Sequence, residues 1–184
     1  ILLVFLLIIF TVLGYYYKSR DEVDFIENFN DFSNYVLLEN PPQIYDDFYA
    51  NIYDKLFNSA TKNQFEIYNI KAYTIDEKSP FDIKTLKFLD LGCGTGGHLD
   101  VLDKHKYSCT GVDQSMEMLE KARLLTPTIP LVKGDFHKKG IFKNREFTHA
   151  TMFFYTIYYS DKVKQLFNNV NYWLKPKGFF CIHL

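Results

Sequence analysis

The stretch FLDLGCGTGG at residues 88–97 decides the fold of this 184-residue chain. Its apolar residues up to Leu91 predict a strand that is buried on both faces. The glycines that follow at once predict a tight turn in which the backbone approaches a neighbour closely. We expect a helix from Gly97 to Lys104 whose first amides point back at that turn. A buried strand, a glycine-rich turn and a helix indicate an α/β fold.

A second acidic position follows this unit. Gly111-Val112-Asp113 reads as the end of a second strand, and Asp113 lies 21 residues past Gly92. In nucleotide-binding βαβ units an acidic residue at about this distance binds the ribose hydroxyls. The sequence therefore predicts that Asp113 binds a ribose.

The glycines fit two patterns, and Asp90 helps to separate them. Gly92, Gly94 and Gly97 fit the dinucleotide pattern G-x-G-x-x-G, whereas Gly92, Gly94 and Gly96 fit G-x-G-x-G with an acid two residues earlier. A carboxylate beside an anionic pyrophosphate is unfavourable. The methionine end of S-adenosylmethionine carries an ammonium and a sulfonium, which a carboxylate attracts. The second pattern resembles the first motif of class I S-adenosylmethionine-dependent methyltransferases.

Further motifs of that family follow in order, so that the resemblance covers about residues 86–184. Residues 111–119 resemble the second motif, with Ser115 as N-cap of a helix. Gly134-Asp135-Phe136 is similar to the adenine clamp, after a strand at 129–133. Residues 147–155 are placed like the fourth strand, 161–174 like the following helix, and 174–178 like the turn into a fifth strand at 179–184.

The resemblance implies a Rossmann-like, doubly wound, mostly parallel sheet in the order 3-2-1-4-5, with helices on both faces. It implies S-adenosyl-L-methionine as cofactor and transfer of a methyl group by in-line displacement. Asp90 and the glycine loop would hold the methionine end, Asp113 the ribose, Met116 the adenine face, and Asp135 with Phe136 the adenine edge. The cofactor-binding residues expected from this resemblance are Asp90, Gly92, Cys93, Gly94, Gly96, Asp113, Gln114, Met116, Asp135 and Phe136.

No catalytic residue follows from the sequence, because such a transfer depends chiefly on positioning and desolvation. A hydroxyl acceptor would need a general base. The options are Tyr155, Tyr158, Tyr159, His98 and His183, and none is singled out. The methyl acceptor is unidentified, with a small molecule favoured over a protein.

The last strands of the family are not in this sequence. Relatives usually have seven strands, whereas this chain ends at Leu184, in or just after the fifth, and starts at Ile1 rather than Met. The resemblance leaves open whether the sequence is a fragment at both ends.

The N-terminal stretch carries a second signal. Residues 1–17 contain no charge, which is near the lower limit for a bilayer span, and Lys18 and Arg20 follow. A transmembrane anchor is favoured over a signal peptide, since no small-residue cleavage site is present, and over a core helix. The two cations place the following domain on the cytosolic side of the membrane.

Two segments are expected between this anchor and the methyltransferase-like domain at 79–184. Residues 18–43 are predicted to be an acidic linker that ends at Pro41-Pro42. Residues 44–78 are predicted to form two N-terminal helices. The first carries aromatic residues at helical spacing and resembles a cap over the cofactor, with simple packing on the core as the alternative. The second, over 62–75, is expected to pack through Phe65, Tyr68, Ala72 and Ile75.

The remaining features narrow the function. Three widely spaced cysteines predict neither a disulfide framework nor a zinc site, so no metal is expected. Nucleic acid is disfavoured as acceptor, because the candidate basic patch is sparse. Two other functions stay open: a non-catalytic, membrane-tethered domain of the same fold, and a nicotinamide-dependent oxidoreductase. The basic patch that was weighed for nucleic-acid binding consists of Lys133, Lys138, Lys139, Lys143 and Arg145.

Overall fold

The computed structural model describes residues 44–75 and 79–184. The anchor predicted at 1–17 and the linker predicted at 18–43 lie outside these described residues. Within the two described ranges, no helix is both long enough and apolar enough to cross a bilayer.

The described chain forms five strands and five α-helices, which we number in chain order. They are α1 (Asp47–Phe57), α2 (Ala60–Thr74), β1 (Lys87–Leu91), α3 (Gly97–Lys104), β2 (Ser108–Asp113), α4 (Met116–Leu125), β3 (Leu131–Lys133), β4 (Phe147–Met152), α5 (Val163–Trp173) and β5 (Leu174–Ile182).

The strands form one parallel sheet in the order β3-β2-β1-β4-β5, as the sequence predicts. The strand order reverses between β1 and β4, where Asp90 on β1 is paired with Thr151 on β4. In open α/β sheets ligands bind beyond the carboxyl ends of the strands at such a reversal. The topology therefore marks the ends of β1 and β4 as the place to look for a site.

Two apolar clusters cover the two faces of the sheet, which confirms the expectation of helices on both faces. One cluster joins α2, α3 and α4 to one face, and includes Phe88 and Leu99. The other joins α5 to the opposite face, and includes Leu89, Leu91 and Trp173. Because successive side chains of β1 point to opposite faces, the central strand contributes to both clusters. This double burial explains its continuous apolar pattern.

Helix starts follow the expected local chemistry. Helix α3 spans the predicted residues Gly97–Lys104. Helix α4 begins after Ser115, whose hydroxyl accepts a hydrogen bond from the N–H of Met118 at 3.0 Å. Such an N-cap satisfies an amide that has no partner within the helix.

Two strand boundaries differ from the prediction. Strand β4 ends at Met152 rather than at residue 155, because Phe154 and Tyr155 take positive φ angles of 49° and 59°. Strand β5 begins at Leu174 rather than at 179, and the predicted turn is a bulge within it. The pairing advances from Leu174 to Phe179 on β5 while it advances only from Phe147 to His149 on β4.

The packing face of α2 also differs from the prediction. Of the four residues expected to pack, Phe65 and Tyr68 are 66% and 65% exposed and Ala72 is exposed, whereas Ile75 is buried as predicted. The buried residues of the helix are Asn63, Ile67, Ile70 and Thr74. The aliphatic side chains of Ile67 and Ile70 belong to the core cluster, whereas the two aromatic side chains expected there are exposed.

Candidate functional site

A pocket lies at the carboxyl ends of β1 and β4, at the reversal of the strand order. The loop after β1, the residues after β4 and the two N-terminal helices surround it. It contains four of the residues that the sequence predicts for cofactor binding. The end of β1 and the loop after it contribute Asp90, Gly92, Cys93 and Gly94. The segment after β4 contributes Phe153, Phe154 and Thr156. The two N-terminal helices and the residues between them contribute Tyr53, Phe57, Asn58, Lys62 and Asn63.

Asp90 is a buried carboxylate in the wall of this pocket. Its Oδ1 accepts a hydrogen bond from the hydroxyl of Thr151 at 2.8 Å, and it is 2% exposed. Burial raises the pKa of Asp90 above its usual value, although the nearby His98 and the Thr151 hydroxyl act in the opposite direction. A buried carboxylate with one hydrogen-bond donor is stabilised by a cation placed against it. Asp90 therefore suits a ligand that brings a positive charge.

Asp113 ends β2 and is joined to the glycine loop. Its Oδ2 accepts a hydrogen bond from the N–H of Gly94 at 2.9 Å, and its Oδ1 accepts one from the N–H of Ser115 at 2.9 Å. Burial raises the pKa of Asp113, and these backbone hydrogen bonds oppose the increase. Each carboxylate oxygen has a second lone-pair site, so the pair can still accept hydrogen bonds from a diol.

The first two helices, which the sequence predicts to be a cap, contact the glycine loop. The hydroxyl of Thr95 donates to Oδ1 of Asp54 on α1 at 2.5 Å. The hydroxyl of Ser115 donates to the carbonyl of Tyr45, just before α1, at 2.7 Å. The aromatic side chains of Tyr53 and Phe57 on the same helix line the pocket. Helix α1 therefore contacts the glycine loop and contributes to the wall of the pocket.

Two glycines are required by close approach. A Cβ on Gly92, whose φ is +71°, would lie 2.6 Å from Cγ2 of Thr156. A Cβ on Gly97 would lie 2.6 Å from Nδ2 of Asn63 and 3.1 Å from Oδ1 of Asn58. A Cβ atom is essentially never found 2.6 Å from another heavy atom. Glycine at positions 92 and 97 therefore lets the loop approach the residues after β4 and the cap this closely.

The residues predicted to clamp an adenine follow β3. Oδ1 of Asp135 is 2.9 Å from Nδ1 of His137, which fixes the carboxyl group and leaves Oδ2 without a partner in the described part of the chain. The carbonyl of Phe136 accepts a hydrogen bond from Asn169 at 3.0 Å. The Phe136 N–H has no hydrogen-bond partner among residues 44–75 and 79–184. A free acceptor beside a free backbone donor is the arrangement that the edge of an adenine ring requires.

The other predicted residues serve the loop in different ways. Burial raises the pKa of the Cys93 thiol well above its usual value, so Cys93 is a packing residue and not a nucleophile. Gly96 is the left-handed residue before α3 and contacts Ala122. Met116 and Gln114 lie at the start of α4 and just before it, both partly exposed. They are outside the pocket described above.

Sequence reasoning missed a set of charged and polar residues on α2. Glu66 lies 2.6 Å from Nε2 of His98, and Lys62 lines the same pocket. The only signal in the sequence is that Lys62 and Glu66 are four residues apart and so share one side of α2. Of the suggested bases, His98 lies in the pocket, whereas the tyrosines at 155, 158 and 159 are 47%, 70% and 51% exposed.

Comparisons with known proteins point to one family. Residues 88–178 match a family model described as a methyltransferase domain. An uncharacterized protein of Methanocaldococcus jannaschii is 33% identical over 132 residues, which is 70% of this chain and 48% of that protein. This chain thus spans about half the length of that relative.

Solved structures share the fold. A putative S-adenosyl-L-methionine-dependent methyltransferase from Methanococcus maripaludis superposes with a TM-score of 0.60 at 21% identity, over 75% of this chain and 63% of that one. A putative methyltransferase in complex with a Haloferax volcanii methyltransferase activator has a TM-score of 0.59 at 26% identity, over 73% of this chain and 57% of its own.

Proposed function

We propose that this chain, which carries a domain of the S-adenosylmethionine-dependent methyltransferase family at residues 88–178, is an enzyme that transfers a methyl group from that cofactor to a small-molecule acceptor. The observation that carries the proposal is the placement of two carboxylates, the buried Asp90 and the partly buried Asp113, beside the glycine loop. Asp90 lines the pocket at the end of β1, and Asp113 accepts from Gly94 at the end of β2.

The residues fit S-adenosylmethionine along its whole length. Asp90 offers a negative charge to the ammonium and sulfonium groups, Asp113 accepts from the ribose hydroxyls, and Asp135 with the Phe136 N–H meets the adenine edge. Gly92, Cys93, Gly94 and Gly96 shape the loop, with Gln114 and Met116 beside the nucleoside. When bound, the cofactor supplies a methyl group on a positively charged sulfur, which makes that carbon electrophilic.

The chain itself contributes orientation and exclusion of water. Tyr53, Phe57 and Phe154 form a set of ring contacts with centroids 5.3–6.4 Å apart above the loop. Aromatic rings close to a sulfonium stabilise its charge without competing as nucleophiles. A dry site also strengthens the attraction between Asp90 and the cofactor.

Calorimetric titration of S-adenosylmethionine into the full chain in detergent tests the proposal, with NADH as a parallel control. Saturable binding of S-adenosylmethionine alone is expected. Binding of NADH alone would favour an oxidoreductase instead. Binding of neither ligand by the folded chain would favour a non-catalytic domain. Transfer of label from tritiated cofactor to the small-molecule fraction of a cell extract then identifies the acceptor class.

We also propose that residues 1–17 anchor the chain in a membrane with the domain on the cytosolic side. The uncharged stretch and the cations Lys18 and Arg20 support this topology. The test is alkaline carbonate extraction followed by proteinase treatment of sealed microsomes that contain the full chain. Resistance to extraction with digestion of the domain is expected. Protection of the domain from proteinase would contradict the topology.

A further inference from the structure

One carboxylate, Glu66 on α2, gathers three nitrogen groups at the edge of the pocket. Its Oε2 lies 3.0 Å from Nζ of Lys62 and 2.6 Å from Nε2 of His98. Its Oε1 lies 2.9 Å from the buried Nδ1 of His183, without hydrogen-bond geometry. Burial alone would raise the pKa of Glu66, but the hydrogen bonds from His98 and Lys62 outweigh it and hold that pKa below its usual value. Glu66 is therefore a carboxylate at neutral pH.

This carboxylate decides which nitrogen of His98 carries the proton. A carboxylate only accepts hydrogen bonds, so Nε2 at 2.6 Å must donate, and in the neutral ring Nδ1 then holds a lone pair. No hydrogen bond to Nδ1 is formed within the described part of the chain. The ring is also held in place by Phe153, on which it stacks with a centroid distance of 3.8 Å and an angle of 7°. His98 is thus a fixed base with one nitrogen unused.

His98 lies in the pocket where the proposed methyl transfer takes place. His98 follows the glycine loop at the start of α3 and lines the same pocket as Asp90, Gly92 and Phe154. The proposed function places the positively charged end of the cofactor against this part of the loop. An acceptor that attacks the methyl group has to enter the same pocket.

We propose that His98 is the proton acceptor of the methyl transfer and that Glu66 is its positioning residue, so that the acceptor is a hydroxyl or an amine that loses a proton on methylation. This inference rests on the proposed function. The lone pair of the acceptor oxygen or nitrogen forms the new bond to carbon, and the electron pair of the broken sulfur–carbon bond stays on sulfur. The acceptor's proton moves to Nδ1 of His98, and solvent later removes it.

The charged and titratable groups around His98 come from three other parts of the chain. Glu66 and Lys62 lie beside it on α2, Asp90 lies at the end of β1, and His183, in the segment after β5, contacts Glu66. The carboxylate on Nε2 holds the imidazole ring in one orientation, as in other carboxylate–histidine pairs.

Two variants and two matched controls test this assignment. His98→Gln removes the base, and Glu66→Gln removes the charge that orients it. The controls are His105→Gln, at the exposed end of the same helix α3, and Glu120→Gln, exposed on α4. Each protein is measured as the full chain in detergent, by titration with S-adenosylmethionine and by transfer of tritium to the small-molecule extract over a range of pH.

The expected result separates binding from transfer. His98→Gln should bind the cofactor within threefold of wild type and transfer methyl groups at least about 100-fold more slowly at pH 7. The increase of its transfer rate with rising pH should differ from that of wild type. The transfer rate of Glu66→Gln should lie between those of wild type and His98→Gln. Both controls should behave as wild type. A lost affinity for S-adenosylmethionine in His98→Gln, or an unchanged transfer rate, would overturn the inference.

A measurement on the wild-type chain decides the question independently of activity. Nitrogen-15 NMR with S-adenosylhomocysteine present should report His98 as a neutral ring at high pH with its proton on Nε2. A proton on Nδ1 would overturn the inference. If wild type binds no cofactor, the proposed function itself fails, and that outcome is distinct from a defect confined to the His98 variant.

Discussion

The Oδ2 atom of Asp113 accepts a hydrogen bond from the N–H of Gly94 at 2.9 Å, across the ends of two neighbouring strands. One carboxylate thereby fixes the middle of the glycine loop before any ligand arrives. Its Oδ1 holds the N–H of Ser115 in the same way. The predicted ribose site and the glycine loop are consequently joined by Asp113, so a substitution of this residue changes both.

Replacement of Asp113 by Ala should therefore weaken binding of S-adenosylmethionine. The loss of the hydrogen bonds to the ribose is expected to cost about 1–3 kcal/mol, or about 5- to 150-fold in Kd. Isothermal titration of the full chain measures the change. Asp103→Ala, at an exposed position on α3, is the control. An unchanged Kd in the Asp113 variant would remove Asp113 from the site.

Replacement of Gly97 by Ala should displace the cap. The new Cβ would lie 2.6 Å from Nδ2 of the buried Asn63, so the Asn63 side chain, the start of α2 or the loop has to move. Overpacking of this kind costs about 1–3 kcal/mol. The free energy of unfolding, measured with urea, should fall by this amount, and cofactor affinity should fall with it.

Gly140→Ala is the matched control for that change. No atom lies within 4 Å of the Cβ position at Gly140, and its φ angle is not positive. The control should therefore keep the stability of wild type. Equal stability of the two variants would show that the contact between Gly97 and Asn63 is easily relieved.

The sheet and the glycine loop could be predicted because their signals are local. Leu89 and Leu91 indicate a strand that is buried on both faces, and the glycines that follow them indicate a turn. The partner of His98 could not be predicted in the same way, since Glu66 lies 32 residues earlier on a helix whose packing face is not evident from the sequence. The exposed aromatic residues of α2 gave a stronger apolar signal than Ile67 and Ile70, which in fact pack on the core.

The predicted strand boundaries were wrong where the backbone conformation differs from what the side-chain types indicate. Phe154 and Tyr155 have the aromatic character of strand residues, yet both take positive φ angles that end β4. Lys177, with a φ angle of 67°, allows the bulge in β5. Positive φ at such residues is set by tertiary contacts, which composition does not reveal.

Removal of the carboxylate of Asp54 should release the cap from the loop. The Thr95 hydroxyl donates to Oδ1 of Asp54 at 2.5 Å, a short bond to a charged acceptor. In Asp54→Ala we expect cofactor to dissociate faster, with a smaller effect on the association rate. Stopped-flow displacement of S-adenosylhomocysteine measures both rates.

Asp47→Ala on the same helix is the control for this experiment. Asp47 is exposed in the first turn of α1, away from the glycine loop contacts of Asp54 and Thr95. Its dissociation rate should equal that of wild type. Equal rates in all three proteins would indicate that the cap does not gate release of the ligand.

His149 should make the stability of the domain depend on pH. It is buried between the rings of Phe88 and Phe179, with centroid distances of 4.5 Å and 5.3 Å. Burial lowers the pKa of His149 from 6.5 to about 4. As pH falls from 6.5 towards 4, the unfolded chain binds a proton at this side chain and the folded chain does not. The free energy of unfolding should therefore decrease by about 3 kcal/mol over that interval.

Replacement of His149 by Phe isolates this contribution. The ring stack is retained, and the hydroxyls of Thr148 and Thr74 keep other partners, the backbone of Lys87 and the carbonyl of Ile70. Urea unfolding at a series of pH values from 7.5 to 4 should show a shallower loss of stability in the variant than in wild type. His105→Gln should keep the wild-type slope, because His105 is exposed. The same slope in His149→Phe and wild type would show that the pH dependence comes from other groups. Glu66 does not account for it, because its lowered pKa removes stability only at more acidic pH.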